Sequence, residues 1–392
     1  MSQRVGRTGN EAAAEALRQV NPDVAAVYPI TPQTELMHKF TEFVANGQVN
    51  TELIHVESEH SAMSATVGAA AAGTRAITAT SANGLALMWE IVYIAASYRL
   101  PIVMNVVNRA LSGPINIHCD HSDTMGCRDS GWIQIFAENA QEAYDNTIQA
   151  FLIGEDKKVL LPVMSTLDGF VLSHTMETMV LEDNEKVKEF VGEYDPATTL
   201  LDPDNPITIG LLDLQNWYFE HKRQQVEGMR NAPARIAEVG KAFGKIFGRE
   251  YGFIEPYMLD DAEVAIIIMG SAAGTAKVGV RMARDAGIKA GLVKLRVFRP
   301  WPTDVLTDAV KGLGAVGVMD RCISFGYGGP VFSELRASAY SKGLSVPIGS
   351  YIYGLGGRDV APQHVVEVFK ELAKIAESGK TPDEESYVNL RE

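Results

Sequence analysis

Residues 52–81 read ELIHVESEHSAMSATVGAAAAGTRAITATS. ELIHVES predicts a short strand, and an Ala-rich helix follows from about Glu59 to Gly73. RAITATS predicts a second strand, with Ser58 placed to N-cap the helix between them. Strand, helix and strand joined by turns of a few residues form a βαβ unit, whose strands pair in parallel.

The alternation continues in both directions. Upstream, TGNEAAAEALRQV (8–20) predicts a helix with Thr8 or Asn10 as its N-cap. A buried strand, Val24–Tyr28, is stopped by Pro29 and Pro32, and the helix ELMHKFTEFVANG ends at Gly47. Downstream, GLALMWEIVYIAASYR predicts a helix and LPIVMNVVNR a strand. That strand is apolar throughout, as a parallel sheet covered on both faces requires. WIQIFAENAQEAYDNTIQAFLIGED predicts a further helix and VLLPVMSTLDG a strand. The pattern is a doubly wound α/β domain, which binds ligands at the carboxyl ends of its strands. Those ends fall after Tyr28, around Glu59, at Ser81 and at Arg109.

Periodicity weakens from about 180 to 258, where DPATTLLDPDNPITIG reads as loop and NAPARIAEVGKAFGKIFGREYG as an amphipathic connecting helix. It restarts with AEVAIIIMGSAAGTAKVGVRMARDAGIKAGLVKLRVFRPWP, another β-α-β run, followed by two more strands. The expected division is therefore a first domain over 1–230, a connecting helix over 231–259 and a smaller α/β domain over 260–370. Residues 371–392 close a helix and end as a polar tail.

Composition excludes several classes. The net charge of −14 argues against nucleic acid or an anionic membrane as a partner, since both select clustered Lys and Arg. No uninterrupted apolar run reaches membrane-spanning length, and MSQRVGRTGNEAAAEAL holds no apolar core of a secretory signal, so a cytoplasmic protein is expected. Three cysteines without a C-x-x-C pair give neither a disulfide framework nor a cluster or zinc ribbon.

Each candidate site has a plain alternative. His55, Glu57 and Glu59 alternate along one strand face and suggest a metal, but ESEHSA is not the H-E-x-x-H of a zincin. Glu59 at a helix start in the cleft is a candidate acid or base. Equally, it is a carboxylate that complements the helix dipole. YPITP (28–32) is a rigid turn carrying hydroxyls, or simply a Pro-rich loop. Arg109 ends an apolar strand and calls for an anion, such as a substrate carboxylate. His118, Cys119, Asp120 and His121 invite a metal reading, but without a second cysteine pair they read better as a mobile polar loop. MGSAAGT (269–275) imitates a dinucleotide turn without its G-x-G-x-x-G, and fits a helix start that packs on a neighbour or touches a phosphate.

Five ordered stretches, among them TGNEAAAEA, YPITPQTE and VVNRALSGPINIHCDHSD, together resemble the α subunit of the multi-subunit pyruvate:ferredoxin oxidoreductases. GSAAGT and FRPWP are similar to the transketolase C-terminal-like domain of the same enzymes. The resemblance extends over essentially the whole chain. It implies a thiamine-diphosphate enzyme that converts a 2-oxo acid and coenzyme A to acyl-CoA and carbon dioxide, with electrons passing to ferredoxin. It implies that this chain gives the pyrimidine-binding domain. Other subunits (a diphosphate- and magnesium-binding β, a γ, and a ferredoxin-like δ carrying [4Fe-4S] clusters) give the rest. No metal is expected on this chain, which lacks a G-D-G motif.

By the same resemblance Glu59 hydrogen-bonds the aminopyrimidine ring nitrogen and favours the imino tautomer. Tyr28 and Pro29 line the cofactor, Glu57 is a supporting neighbour, and Thr31 and Arg109 hold the substrate carboxylate. Threonine at 31, and not a second arginine, argues for a substrate with one carboxylate. Pyruvate is the expected substrate, with 2-oxoisovalerate as the alternative. The 110–123 segment is expected to move as a lid, hinged at Gly113–Pro114.

Overall fold

A computed structural model describes residues 2–391. Its first sheet has seven strands. In spatial order they are Val297–Arg299, Ile133–Phe136, Val163–Asp168, Val103–Asn108, Ala76–Thr80, Val24–Val27 and Glu52–His55. All are parallel except Val297–Arg299, which runs antiparallel along one edge.

The central strands carry apolar residues on both faces because both faces are covered. Ile77, Ala79, Val103 and Val107 point into one core, with the helices Gly9–Val20, Thr34–Ala45 and Ala140–Gly154. Ala76, Met104, Val106 and Met164 enter the opposite core, with Glu59–Ala71 and Trp89–Ser97. Period-two alternation within an all-apolar strand thus divides its residues between two cores. The helix Gly9–Val20 starts with a capping box in which Thr8 accepts from Glu11 N and Glu11 accepts from Thr8 N.

Chain order sets the position of the cleft. From Val24–Val27 the chain goes to one neighbour, Glu52–His55, then crosses back to the other, Ala76–Thr80. The strand order reverses there, and the loops after these strands part to leave a crevice.

A second sheet of six strands runs Ser386–Val388, Ile348–Tyr353, Ala315–Asp320, Val264–Ile268, Ala290–Leu295 and Ile254–Tyr257, the last antiparallel. The helices Ala272–Asp285 and Pro362–Ser378 cover one face, and Thr303–Val310 and Pro330–Ser341 the other. A two-stranded ribbon, Gln3–Thr8 with Met176–Leu181, completes the strand pairing.

Four details depart from the sequence reading. The segment from Trp132 is not helical throughout: Ile133–Phe136 is a strand, and Asn139 starts the helix by accepting from Glu142 N. The expected boundary at 230/231 falls inside one helix, Tyr218–Phe247, because its Ile236, Val239 and Phe243 pack into the first core. FRPWP was expected in the second domain, yet Val297–Arg299 pairs with the first sheet. The polar tail contributes Ser386–Val388, whose backbone pairs with the edge strand Ile348–Tyr353.

Candidate functional site

Glu59 is the first residue of its helix, capped by the Ser58 hydroxyl, which accepts from Ser61 N. It is buried, and the reason lies in the next helix. The short helix Ala82–Leu87, which follows Ala76–Thr80, brings Gly84 onto the Glu59 side chain. A Cβ at residue 84 would lie 2.9 Å from both Cγ and Oε1 of Glu59 and 2.5 Å from Thr80 Oγ1. Glycine at this position is a steric requirement of the buried carboxylate.

The other buried charged side chains, such as Glu15, Asp145, Lys294 and Arg321, have hydrogen-bond or ion-pair partners. Glu59 has none among the described residues. The neighbouring Thr80 and Ser81 hydroxyls are also buried and without partners there. Unlike those hydroxyls, the Glu59 carboxylate keeps some exposure to the cleft, so a group from outside the chain can complete it.

Arg109 follows the strand Val103–Asn108 and is equally buried. Nε donates to Asn116 O at 2.8 Å and Nη1 to Thr31 O at 3.0 Å, and no carboxylate pairs with the guanidinium among the described residues. Thr31 is exposed, Tyr28 is half-buried and Pro29 is exposed, all in the turn after Val24–Val27.

Asp123 ties these loops together. Its Oδ2 accepts from Ala82 N and Arg109 N, both at 3.0 Å, and its Oδ1 accepts from Asn108 Nδ2 at 2.8 Å and Thr124 N at 2.7 Å. Burial pushes this carboxyl up to about 6, against the pull of those donors. Ala82 adopts a left-handed backbone (φ 40°), a strained conformation that Asp123 helps to hold. Contacts therefore run from Glu59 through Gly84 and Ala82 to Asp123, then to Arg109 and Thr31. The three residues singled out in the sequence lie along one connected edge, and Asp123, hidden in a polar-looking loop, was missed.

Other expectations resolve differently. His55 and Glu57 are exposed, and with Glu59 they form no group of possible metal ligands among the described residues. Glu57 accepts from Ser61 Oγ one turn along and does not reach Glu59; that bond, then its backbone, holds its carboxyl below the usual range. Of the 118–121 stretch, Cys119, Asp120 and His121 are buried, and only His118 is exposed as a polar loop requires. His121 Nε2 lies 2.8 Å from Asp168 Oδ1, while Arg321 Nη1 donates to Asp168 Oδ2 at 2.9 Å. Cys119, His121 and Asp168 are close enough to share an ion, but Arg321 already supplies positive charge there.

Ser271, at the start of the GSAAGT helix, donates to Asp168 Oδ2 from its N–H at 3.0 Å and its hydroxyl at 2.6 Å. The dinucleotide-like turn thus holds a carboxylate of this same chain. Burial alone would raise the Asp168 pKa, but His121 and Arg321 outweigh it and hold it well below the carboxylate range.

Fold and site together define a two-domain α/β protein whose switch-point cleft presents an unpartnered acid to an external group. Residues 15–241 match the family described as pyruvate flavodoxin/ferredoxin oxidoreductase, thiamine-diphosphate-binding, and 262–365 match pyruvate:ferredoxin oxidoreductase core domain II. The chain is 54% identical to the pyruvate synthase subunit PorA of Thermotoga maritima, over 100% of this chain and 99% of the relative. It is 44% identical to the protein of that name in Methanocaldococcus jannaschii (98% and 97% covered). It is 42% identical to the ketoisovalerate oxidoreductase subunit VorA of Pyrococcus abyssi (98% and 97%). A solved 2-oxoglutarate:ferredoxin oxidoreductase from Magnetococcus marinus has the same fold, with a TM-score of 0.72 at 19% identity. That match covers 94% of this chain and 65% of the other. The chain belongs to the pyruvate flavodoxin/ferredoxin oxidoreductase family, and its first domain is of the thiamine-diphosphate-binding kind.

Proposed function

We propose that this chain is the α subunit of a pyruvate:ferredoxin oxidoreductase, acting in the cytoplasm as part of a multi-subunit complex. The complex oxidatively decarboxylates pyruvate with coenzyme A and passes electrons to ferredoxin. The observation that carries the reading is Glu59: a buried carboxylate, unpartnered within the described chain, at the switch-point end of a thiamine-diphosphate-binding domain. Thiamine diphosphate, when bound, supplies the nucleophilic carbon and the electron sink that decarboxylation needs.

The chain's own residues bind, orient and hold a proton. Glu59 hydrogen-bonds the aminopyrimidine ring nitrogen, and its proton there selects the tautomer, with Tyr28 and Pro29 beside the ring. Arg109, buried without a carboxylate partner, takes the substrate carboxylate together with Thr31. A charged hydrogen bond of this kind contributes about 1.5–3 kcal/mol. It also orients the oxo carbon, which is positioning catalysis. The diphosphate and magnesium belong to a β subunit, and the [4Fe-4S] clusters to a ferredoxin-like δ subunit, with a γ subunit completing the complex.

Identity of 54% to a PorA subunit against 42% to a VorA subunit favours pyruvate over 2-oxoisovalerate. A substrate panel with the purified complex decides that point. For the central role, Glu59→Gln in the assembled enzyme should slow proton exchange at the reactive carbon of the cofactor by about 10²–10⁴-fold while the cofactor stays bound. Wild-type exchange in that variant removes Glu59 from the role.

A further inference from the structure

The second domain supplies none of the reacting groups assigned above, yet it reaches the arginine clamp through one side chain. Asn116 accepts from Arg109 Nε at 2.8 Å through its backbone oxygen. Its side chain is used at both ends. Oδ1 accepts from His118 N at 2.7 Å, and Nδ2 donates to Gly356 O at 2.9 Å. Gly356 lies in the turn Leu355–Gly357 of the second domain, and its own N–H donates to Asp120 Oδ2 at 3.1 Å. The 110–121 segment is thus fastened to the second domain at two points around Gly356, although Ile115 beside Asn116 is 77% exposed.

The turn is shaped for this close approach. Gly356 has φ 58°, and a Cβ there would press into Asn116 Nδ2; one at Gly357 would press into His118. A side chain at either position would push the segment away from the second domain.

We propose that Asn116 and the Gly354–Gly357 turn form a positioning device for Arg109, through which the second domain sets the affinity for the 2-oxo acid. The proposal rests on Arg109 being the carboxylate clamp. Asn116 is a positioning residue: it orients the guanidinium by fixing the carbonyl that receives Nε, with Thr31 O fixing Nη1. The segment read from sequence as a free lid is a docked strap.

The test is steady-state kinetics of the assembled enzyme, varying pyruvate and coenzyme A separately. Asn116→Ala should lower kcat/KM for pyruvate about five- to tenfold, the loss of one or two hydrogen bonds, and carry it in KM. The KM for coenzyme A should not move, and the melting temperature should fall only by the small amount that one or two hydrogen bonds contribute. Gly356→Ala, 240 residues away in sequence, should raise the pyruvate KM in the same way. In the Asn116→Ala background it should add little, because both changes break one contact.

Arg109→Ala, assayed alongside, separates the two readings. If it ruins pyruvate use while Asn116→Ala keeps the wild-type KM, or if the Asn116 and Gly356 effects simply add, the positioning device is refuted and the clamp stands. If Arg109→Ala leaves the pyruvate dependence unchanged, the clamp is refuted and the device with it.

Discussion

Gly84 carries no side chain, and the Glu59 carboxylate occupies the space one would take. Gly84→Ala would bring a methyl group within 2.9 Å of Glu59 Oε1 and 2.5 Å of Thr80 Oγ1, so the acid must move. The expected outcome is a marked loss of turnover in the assembled enzyme, with a stability cost of about 1–3 kcal/mol from overpacking. Wild-type turnover would mean that the position of Glu59 does not matter to the chemistry. At this scale the sequence is a partial guide. The place of Glu59 at a strand end and helix start could be read directly, because Ser58 and the Ala-rich run mark the helix. Its isolation could not, because that depends on Gly84, 25 positions further on. Asp123 was hidden for a related reason: CDHSD has the composition of a solvated loop, and only the fold reveals four donors converging on one carboxyl group.

Among the elements, the strand ends of the first sheet are held by that buried carboxyl group. Its folded pKa, about 6, lies above the ordinary aspartate value. A raised folded pKa contributes stability that is present in full below about pH 4 and is lost as pH rises through about 6. Asp123→Asn cannot titrate, so its melting temperature should gain on that of wild type as pH rises from about 4 to 7. A difference that stays flat over this range would contradict the placement of the group. Helices and buried parallel strands were legible from periodicity because their side chains meet a uniform environment. IQIF was absorbed into a helix because four apolar residues fit either period, and Asn139 decided the matter by capping. The Val297–Arg299 and Ser386–Val388 strands have no pattern of their own, since the edges they join supply their pairing.

The molecule as a whole is two α/β domains that meet around Asp168. This carboxylate lies at the end of a first-sheet strand and takes Arg321 and Ser271 from the second domain. Its folded pKa is depressed, so its contribution is present above the ordinary carboxylate range and drains away as pH falls below it. Asp168→Asn should cost roughly 3–5 kcal/mol near neutral pH, as for a broken buried pair. Thermal unfolding of the complex should show that penalty shrinking in acid. A penalty that grows in acid would reverse the assigned sign. Two domains could be counted from the sequence, but not the way they interlock, because FRPWP and the helix before 248 cross the division.

Glu59 takes its partner from outside the described chain, within which no residue pairs with it. We propose that this partner is the aminopyrimidine ring of thiamine diphosphate, held jointly with another subunit. A density map of the assembled complex with thiamine diphosphate tests it directly. A Glu59 carboxylate oxygen about 2.6–3.2 Å from the ring nitrogen is the predicted result. A ring bound elsewhere, or Glu59 paired with a basic residue of a neighbouring subunit, would contradict it.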